Sequence, residues 1–287
     1  MSAQPQPQDF IEAPLPEHWQ ALGLNRDPFA ADIDGDLYYP EPARTQQLRV
    51  LNHLTQYTNL ILYVQGPEGT GKTTLMEHFL TQASSDWRVC RIDAHEFLDE
   101  ERVLGIMAKA YRLPQPERAM DELLDGLREQ WASFRDSGLT PVLVVDNAEQ
   151  LPLRTLKLLV ALSADESEEG AAVHTILVGR GLSDAQTEAA REVIPEGDLF
   201  KTIDIPPLYE EQTRDYLFHR LNAAGYHLPG PFTPKAIQQL HQDAHGLPGR
   251  INALARERLD AFARQTGDKL PAPSAAAVPY LKAVALS

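Results

Sequence analysis

Cysteine, long apolar runs and excess positive charge are all scarce in this sequence. The single cysteine, Cys90, excludes an internal disulfide framework and fits a reducing compartment. Because Cys90 lies in the apolar stretch WRVCRIDA, we expect a buried, unreactive thiol. No stretch reaches the ~18 apolar residues that a membrane helix needs, and the N-terminus lacks the basic start and apolar run of a secretory signal. We therefore expect a cytoplasmic chain without a membrane span.

Negative charge outweighs positive charge: 41 Asp and Glu residues stand against 26 Lys and Arg residues, for a formal net charge of -15. A protein whose main task is to coat phosphate backbones needs a positive field, so nucleic acid is not the expected partner. The 287 residues, of which 43% are hydrophobic, are enough for one large α/β domain and a smaller second domain.

Short apolar runs alternate with helical patterns as far as residue 205. This alternation predicts a parallel β-sheet that is covered by helices on both faces. The predicted strands are 59–65, 87–94, 141–146, 172–179 and 199–205. Pro206 and Pro207 end the alternation, and only helical patterns follow them.

These changes divide the chain into four predicted segments. Residues 1–20 are rich in Pro and Gln and are expected to be flexible, as is typical of such composition. The α/β domain covers 21–207, a helical domain covers 208–266, and a tail rich in Pro and Ala covers 267–287.

The stretch GPEGTGKTT follows the first predicted strand and matches the phosphate-binding pattern G-x-x-x-x-G-K-[ST]. Its glycines let backbone N–H groups point at phosphate oxygens, its lysine brings a charge to the β and γ phosphates, and its threonine can ligate Mg²⁺. The helix that begins there adds the positive end of its dipole. We therefore predict a site for ATP and Mg²⁺ formed by Gly66, Pro67, Glu68, Gly69, Thr70, Gly71, Lys72, Thr73 and Thr74.

The stretch PVLVVDNAEQ carries an acidic residue at the end of an apolar strand. Asp146 is placed there to hold the Mg²⁺ together with Thr73, as in other nucleotide-hydrolysing domains. Asn147 follows where such domains usually have a glutamate; its amide can hydrogen-bond a water but cannot accept the proton. Glu149 is either a second carboxylate of the site or a solvated surface residue.

With these motifs in place, the chain resembles the AAA+ ATPases of the ExeA type, and more closely the ATPase domain of DamX-like bacterial cell-division proteins. The resemblance extends over about residues 17–265 and includes LVVDNAEQL and AHGLPGRINALARERL. It implies an α/β P-loop NTPase with a five-stranded parallel sheet and a small helical lid, with the nucleotide between them. The lead-in LGLNRDPFA is similar to the family's segment near the adenine, which makes Leu24, Pro28 and Phe29 candidates there.

The same resemblance assigns roles to several arginines. Arg180 takes the place of the family's polar sensor of the γ-phosphate, which is a departure from the pattern, and Arg250 matches the lid arginine that reaches the phosphates. Relatives also have an arginine before the fifth strand that acts on the neighbouring subunit. Lys201 and Arg191 are the nearest counterparts here, and neither is a clean match.

Three functional hypotheses remain open. The first is an ATPase with weak or partner-dependent hydrolysis that couples nucleotide state to assembly with cell-envelope, cell-division or secretion partners, at the inner face of a bacterial inner membrane. It implies a homo-oligomer or a site completed by a partner. The second is a scaffold that binds ATP without turnover, and the third is a helper ATPase for DNA transposition, against which the acidic charge argues.

Overall fold

The computed structural model describes residues 15–30, 35–58, 60–113, 119–164, 166–167, 170–171, 173–194, 200–226 and 230–266. The predicted tail and most of the predicted flexible N-terminal segment therefore lie outside the described residues. The chain divides into two compact units. The α/β unit contains Pro40–Leu208 and Leu247–Gly249, and the helical unit contains the described parts of Met1–Tyr39, Tyr209–Gly246 and Arg250–Ser287.

Five strands of the α/β unit form one parallel sheet. They are β1 (Leu62–Gln65), β2 (Trp87–Asp93), β3 (Thr140–Asp146), β4 (His174–Gly179) and β5 (Lys201–Asp204). Their order in the sheet is β2-β3-β4-β1-β5, and each neighbouring pair is parallel. The predicted α/β fold with a five-stranded parallel sheet is thus confirmed, and each predicted strand overlaps an observed one. A short antiparallel hairpin pairs Glu166–Ser167 with Gly170–Ala171.

The helices follow the predicted order along the chain. They are α1 (Glu17–Gln20), α2 (Pro42–Tyr57), α3 (Lys72–Thr81), α4 (Glu100–Ala110), α5 (Met120–Asp136), α6 (Leu153–Ala164), α7 (Asp184–Arg191), α8 (Glu210–Ala223), α9 (Pro234–Ala244) and α10 (Pro248–Thr266). Helix starts follow local chemistry: the Glu41 side chain accepts from Ala43 N and Arg44 N ahead of α2, and the Thr233 side chain accepts from Ala236 N ahead of α9. Among the described residues, no helix combines the length and the apolar character that crossing a bilayer requires.

The core of the α/β unit lies on the central strands. Val142 to Val145 of β3 are all buried, as expected for a parallel strand that is covered on both faces. Cys90 of β2 is fully buried, and this burial raises the pKa of its thiol to about 12. The predicted burial of this thiol is confirmed, and its lack of reactivity stays a prediction.

The helical unit includes the segment that precedes α2. Trp19, Leu24 and Phe29 are buried, and Phe29 packs edge-on against Phe232 at 6.3 Å between ring centroids. Arg220 of α8 donates from Nε to the Pro28 carbonyl at 2.6 Å. The structure therefore groups residues 15–30 and 35–39 with the helices of this unit, whereas the predicted boundaries put residues 21–39 with the phosphate loop.

Candidate functional site

The phosphate-binding stretch follows β1 and begins with Gly66, a position that has no room for a side chain. A Cβ at Gly66 would lie 2.3 Å from the Ile205 carbonyl oxygen, which follows β5. Since that neighbour is backbone, any larger residue would force the loop away from the sheet. Gly66 N also donates to Gly179 O of β4, so the loop starts where β5 and β4 end.

Two further glycines of the loop have left-handed backbones. Gly69 has φ 80° and Gly71 has φ 87°, conformations that strain any residue with a Cβ. Between them Thr70 is fully buried, and its hydroxyl donates to the Pro67 carbonyl at 2.8 Å. Gly71 is the N-cap of α3 and offers no side chain to the helix end. The first N–H groups of α3 can therefore meet an anion.

Lys72 is the first residue of α3, and its side chain extends back over the phosphate loop. Its Nζ donates to the Gly66 carbonyl at 2.8 Å and to the Pro67 carbonyl at 3.0 Å. Burial lowers the pKa of the Lys72 ammonium, and the nearby charges of Glu149 and Asp146 act in the opposite direction. The structure thus places a cation against the loop and close to two carboxylates.

The predicted metal ligands lie together. Thr73 Oγ1 donates to Asp146 Oδ2 at 3.0 Å, across the gap between α3 and the end of β3. The other carboxylate oxygen of Asp146 accepts from Asn147 N at 2.9 Å. A hydroxyl beside a carboxylate is the kind of oxygen pair that Mg²⁺ uses when phosphates and water complete its shell.

Asn147 has its amide turned toward another strand. Its backbone is left-handed, with φ 54°, and its Nδ2 donates to Asp93 Oδ1 at the end of β2 at 2.8 Å. The side-chain amide of Asn147, the residue after Asp146, is therefore hydrogen-bonded to the end of the neighbouring strand β2.

Glu149 is mostly buried and is therefore not a solvated surface residue. Its side chain is only 12% exposed, and its carboxylate accepts from Arg180 Nε at 2.7 Å and from Arg180 N at 3.2 Å. The Arg180 guanidinium also approaches Glu68 of the loop, at 3.6 Å. The structure thus brings together Glu68, Glu149 and Arg180, which the sequence predicted separately.

One residue of the site was missed by sequence reasoning. Arg44 of α2 is only 9% exposed and donates from Nη2 to the Thr70 carbonyl at 2.7 Å. It shares the buried face of α2 with Leu48, Leu51 and Thr55. An arginine at an apolar position of a helical pattern was the signal that could have found it.

The remaining predicted site residues lie elsewhere. Arg250 is an exposed residue of α10, and Leu24, Pro28 and Phe29 belong to the helical unit. In the α/β unit, Arg191 is exposed at the end of α7 and Lys201 is exposed at the start of β5. The roles assigned to these residues stay predictions.

Residues 55–183 match the model of the AAA domain family. The parallel sheet and the phosphate loop agree with this similarity, and the chain has the fold of the P-loop AAA+ ATPases.

One relative is named for a secretion pathway. The chain is 28% identical over 249 residues to General secretion pathway protein A of Aeromonas hydrophila, a match that covers 85% of this chain and 45% of that protein. The chain thus spans less than half the length of this relative. The predicted resemblance to ExeA-type ATPases is confirmed, whereas the closer resemblance to DamX-like proteins stays a prediction.

Two solved structures share the fold. Cdc6p from Pyrobaculum aerophilum aligns with a TM-score of 0.61 at 22% identity and covers 85% of this chain and 67% of that chain. The ORC2 protein of Aeropyrum pernix, solved as ADPNP-ADP complexes, aligns with a TM-score of 0.56 at 16% identity and covers 87% of this chain and 73% of that chain. At these identities the likeness concerns the fold alone.

Proposed function

We propose that this protein binds Mg-ATP on the phosphate loop and couples the nucleotide state to assembly with protein partners of the secretion apparatus or the cell envelope. The observation that carries the proposal is the convergence of Lys72, Thr73 and Asp146 at one end of the sheet, with Thr73 Oγ1 3.0 Å from Asp146 Oδ2. The loop glycines and the uncapped start of α3 supply the N–H groups that such a ligand needs.

Each residue has a distinct task in this proposal. Lys72 leaves the Gly66 and Pro67 carbonyls and meets the phosphates, while Thr73 and Asp146 hold the Mg²⁺. The ion would neutralise charge on the phosphates and orient them. Arg250 keeps its predicted role of reaching the phosphates. Leu24, Pro28 and Phe29 stay the predicted residues near the adenine.

Hydrolysis is proposed to be slow or to depend on a partner. Asn147 cannot accept a proton from water, and its amide is bonded to Asp93. Glu149 is an alternative carboxylate, but Arg180 holds it. A second copy of this chain would have to supply an arginine from another position, or a different partner would have to supply one, since neither Arg191 nor Lys201 is a clean match to the expected position.

The proposed secretion partners are supported by the similarity to General secretion pathway protein A, which is named for secretion. A place in the cytoplasm, at the inner face of a bacterial inner membrane, is proposed on the ExeA-type resemblance. A role in cell division rests on the DamX-like resemblance alone. The fold likeness to Cdc6p and ORC2 gives no support for DNA as a ligand.

Nucleotide binding is tested by thermal unfolding with and without Mg-ATP. A ligand at 100 times its Kd stabilises a protein by about 2.7 kcal/mol, so the wild-type Tm should rise by several degrees. Lys72→Ala should lose most of this rise. Lys109→Ala, which removes an exposed lysine of α4, is the matched control and should keep the rise. A wild-type Tm that does not respond to Mg-ATP would refute the proposal.

A second candidate function is a scaffold that binds ATP without turning it over, and the bond between Asn147 and Asp93 favours it. Phosphate release by the wild type, compared with Lys72→Ala, separates the two. Release above the level of Lys72→Ala supports the ATPase. Release equal to that level, by a protein that still binds ATP, leaves the scaffold.

A further inference from the structure

A cavity of about 440 Å³ lies at the start of β2, and the phosphate loop lies at the opposite end of the sheet. The start of β2, the end of α4 and the C-terminal half of α5 surround it. Its polar and aromatic lining residues are Trp87, Arg88, Tyr111, Arg112, Gln130 and Phe134. Among the described residues that line the cavity none is acidic, so it has a local positive charge in a chain whose net charge is -15. Its volume is within the range of ligand sites.

The two arginines of the cavity keep their charge available. Arg88 Nη1 donates to the carbonyls of Ser85 and Trp87, both at 3.0 Å, and these bonds hold the guanidinium at the start of the strand. Arg112 is exposed. Within the part of the chain that the structure describes, neither arginine has an acidic partner. Backbone carbonyls position a guanidinium without neutralising it, so both arginines can bind a carboxylate.

Arg112 has a backbone conformation that favours glycine. Its φ is 60°, and Leu113 N donates to Ala108 O at 2.8 Å, the bond that ends a helix on a left-handed residue. The same pattern ends α5 at Gly138 and α8 at Gly225. A side chain in this conformation lowers stability, so an arginine in place of glycine indicates a function for its guanidinium.

The open edge of the sheet adjoins the cavity. Strand β2 is the outer strand and, among the described strands, pairs with β3 alone. Thr140 N donates to Asp86 O and Ala94 N donates to Asp146 O, so the even-numbered backbone groups of this stretch face β3. Successive residues of a parallel strand point their N–H and C=O groups to opposite sides, so those of Val89 face away from the sheet. Val89 also lines the cavity, so groups that can pair with an added strand lie beside the arginines.

We propose that the edge of β2 and this cavity form a docking site for an extended acidic peptide segment of a protein partner. The peptide adds a strand alongside β2, and its carboxylates bind Arg88 and Arg112. The Gln130 amide donates to the same carboxylates, and half-buried Phe134 contacts an apolar side chain of the peptide. Charge complementarity selects an acidic segment over a neutral or basic one. This inference rests on the protein partners of the proposed function, whose chemistry it names, and it requires no nucleotide.

Fluorescence anisotropy with a labelled peptide tests the proposal on the full chain without nucleotide. The probe is a short peptide of alternating Glu and Val, and its reference has Gln in place of Glu. The acidic peptide should bind, and the reference should bind roughly tenfold more weakly or less, because hydrogen bonds to charged groups are the stronger ones. Arg88→Gln should also weaken the acidic peptide roughly tenfold. Arg128→Gln removes an exposed arginine of α5 outside the cavity and should leave the affinity unchanged.

Arg112→Gly separates binding from stability. Glycine adopts a φ of 60° without strain, so this substitution should raise the Tm of the protein while it weakens the acidic peptide roughly tenfold. A purely structural arginine would leave the peptide affinity unchanged, and that result would overturn the proposal whatever the Tm. Absence of any binding between the wild type and the acidic peptide would overturn it as well.

Backbone methylation of the peptide tests the added strand. Two acidic peptides, methylated on the valine nitrogens or on the glutamate nitrogens, cover both orientations, and at least one should lose binding because its N–H groups can no longer pair with β2. Full binding by both peptides, or displacement of the probe by an equal concentration of glutarate, would show a site for small anions and overturn the docking role. Tighter binding of an oligonucleotide than of the acidic peptide would overturn it too. A wild-type Tm that does not respond to Mg-ATP would refute the nucleotide site of the proposed function and leave peptide docking intact.

Discussion

At the scale of single residues, the site depends on side chains whose polar atoms are hydrogen-bonded to other residues. Asp146 uses both carboxylate oxygens, one for Thr73 and one for the backbone of Asn147. The Asn147 side-chain amide in turn donates a hydrogen bond to Asp93. Each of these bonds fixes a rotamer, so the oxygen atoms that would meet a metal are held in place before any ligand arrives.

His174 provides a residue-scale prediction about pH. It begins β4, and burial lowers the pKa of its imidazole below the usual 6.5. The unfolded chain therefore takes up the proton at a higher pH than the folded chain. Stability should be full above pH 6.5 and should fall as the pH drops from 6.5 toward the folded-state pKa, by about 1.4 kcal/mol for each unit of pKa difference.

Urea denaturation at pH 7.5 and 5.5 measures this effect. His174→Gln should flatten the dependence in this range, because glutamine does not titrate. His95→Gln, at an exposed position, is the control and should retain the wild-type dependence. If His174→Gln and wild type lose equal stability between the two pH values, His174 is not the group responsible.

At the scale of elements, the site lies at the edge of the sheet where several strands end. The loop leaves β1 between β4 and β5, and Asp146 ends β3, because the carboxyl ends of parallel strands share one edge of the sheet. Helix α3 begins at the same edge, so its dipole faces this point. The close approach of the loop to Ile205 connects the loop to the end of β5.

Gly66→Ala tests this element packing. A Cβ 2.3 Å from a backbone oxygen requires the loop to shift, which should lower stability by roughly 1–3 kcal/mol and weaken nucleotide binding. Gly105→Ala in α4 is the matched control: its Cβ would meet nothing within 4 Å, and alanine favours a helix over glycine by about 1 kcal/mol. In denaturant unfolding, Gly66→Ala should therefore lower the free energy of unfolding and Gly105→Ala should raise it. A neutral Gly66→Ala would contradict the packing argument.

At the scale of the whole molecule, the helical unit is built from segments that are distant in sequence. Residues 15–30 and 35–39 join α8, α9 and α10, and Arg220 donates to the carbonyls of Pro28 and Ala30. The buried arginine satisfies backbone groups of a segment that has little regular structure of its own. The helical unit therefore depends on the start of the described chain.

Phe29→Ala tests this dependence. Phe29 is 2% exposed and packs on Phe232, so truncation should cost about 3–5 kcal/mol in urea denaturation without nucleotide. Phe97→Ala, at a phenylalanine that is 70% exposed, should cost less than about 0.5 kcal/mol. Phe29→Leu keeps apolar bulk and should cost under about 1.5 kcal/mol. Weaker ATP binding by Phe29→Leu would support the predicted adenine contact, and a small cost for Phe29→Ala would refute the packing role.

Much of this protein was determined by signals that are local in its sequence. The loop glycines, Lys72, Thr73 and Asp146 could be predicted because a strand, a turn and a helix start each leave a pattern within a few neighbouring residues. The alternation of apolar runs with helices likewise predicted the parallel sheet, because a buried strand needs apolar residues whatever its neighbours are. The Thr233 cap at the start of α9 is likewise a local feature, since Thr233 accepts from Ala236 N only three residues away.

Other features were decided only by the tertiary structure. Glu149 and Arg180 are 31 residues apart, Arg44 and Thr70 are 26 apart, and Arg220 and Pro28 are 192 apart. A side chain that serves such a contact has no local pattern, because its partner is chosen by how the elements pack and not by adjacent residues. The sequence therefore determined which residues form the predicted phosphate and metal site, and the packing decided which charges neutralise one another there and which unit the first described residues join.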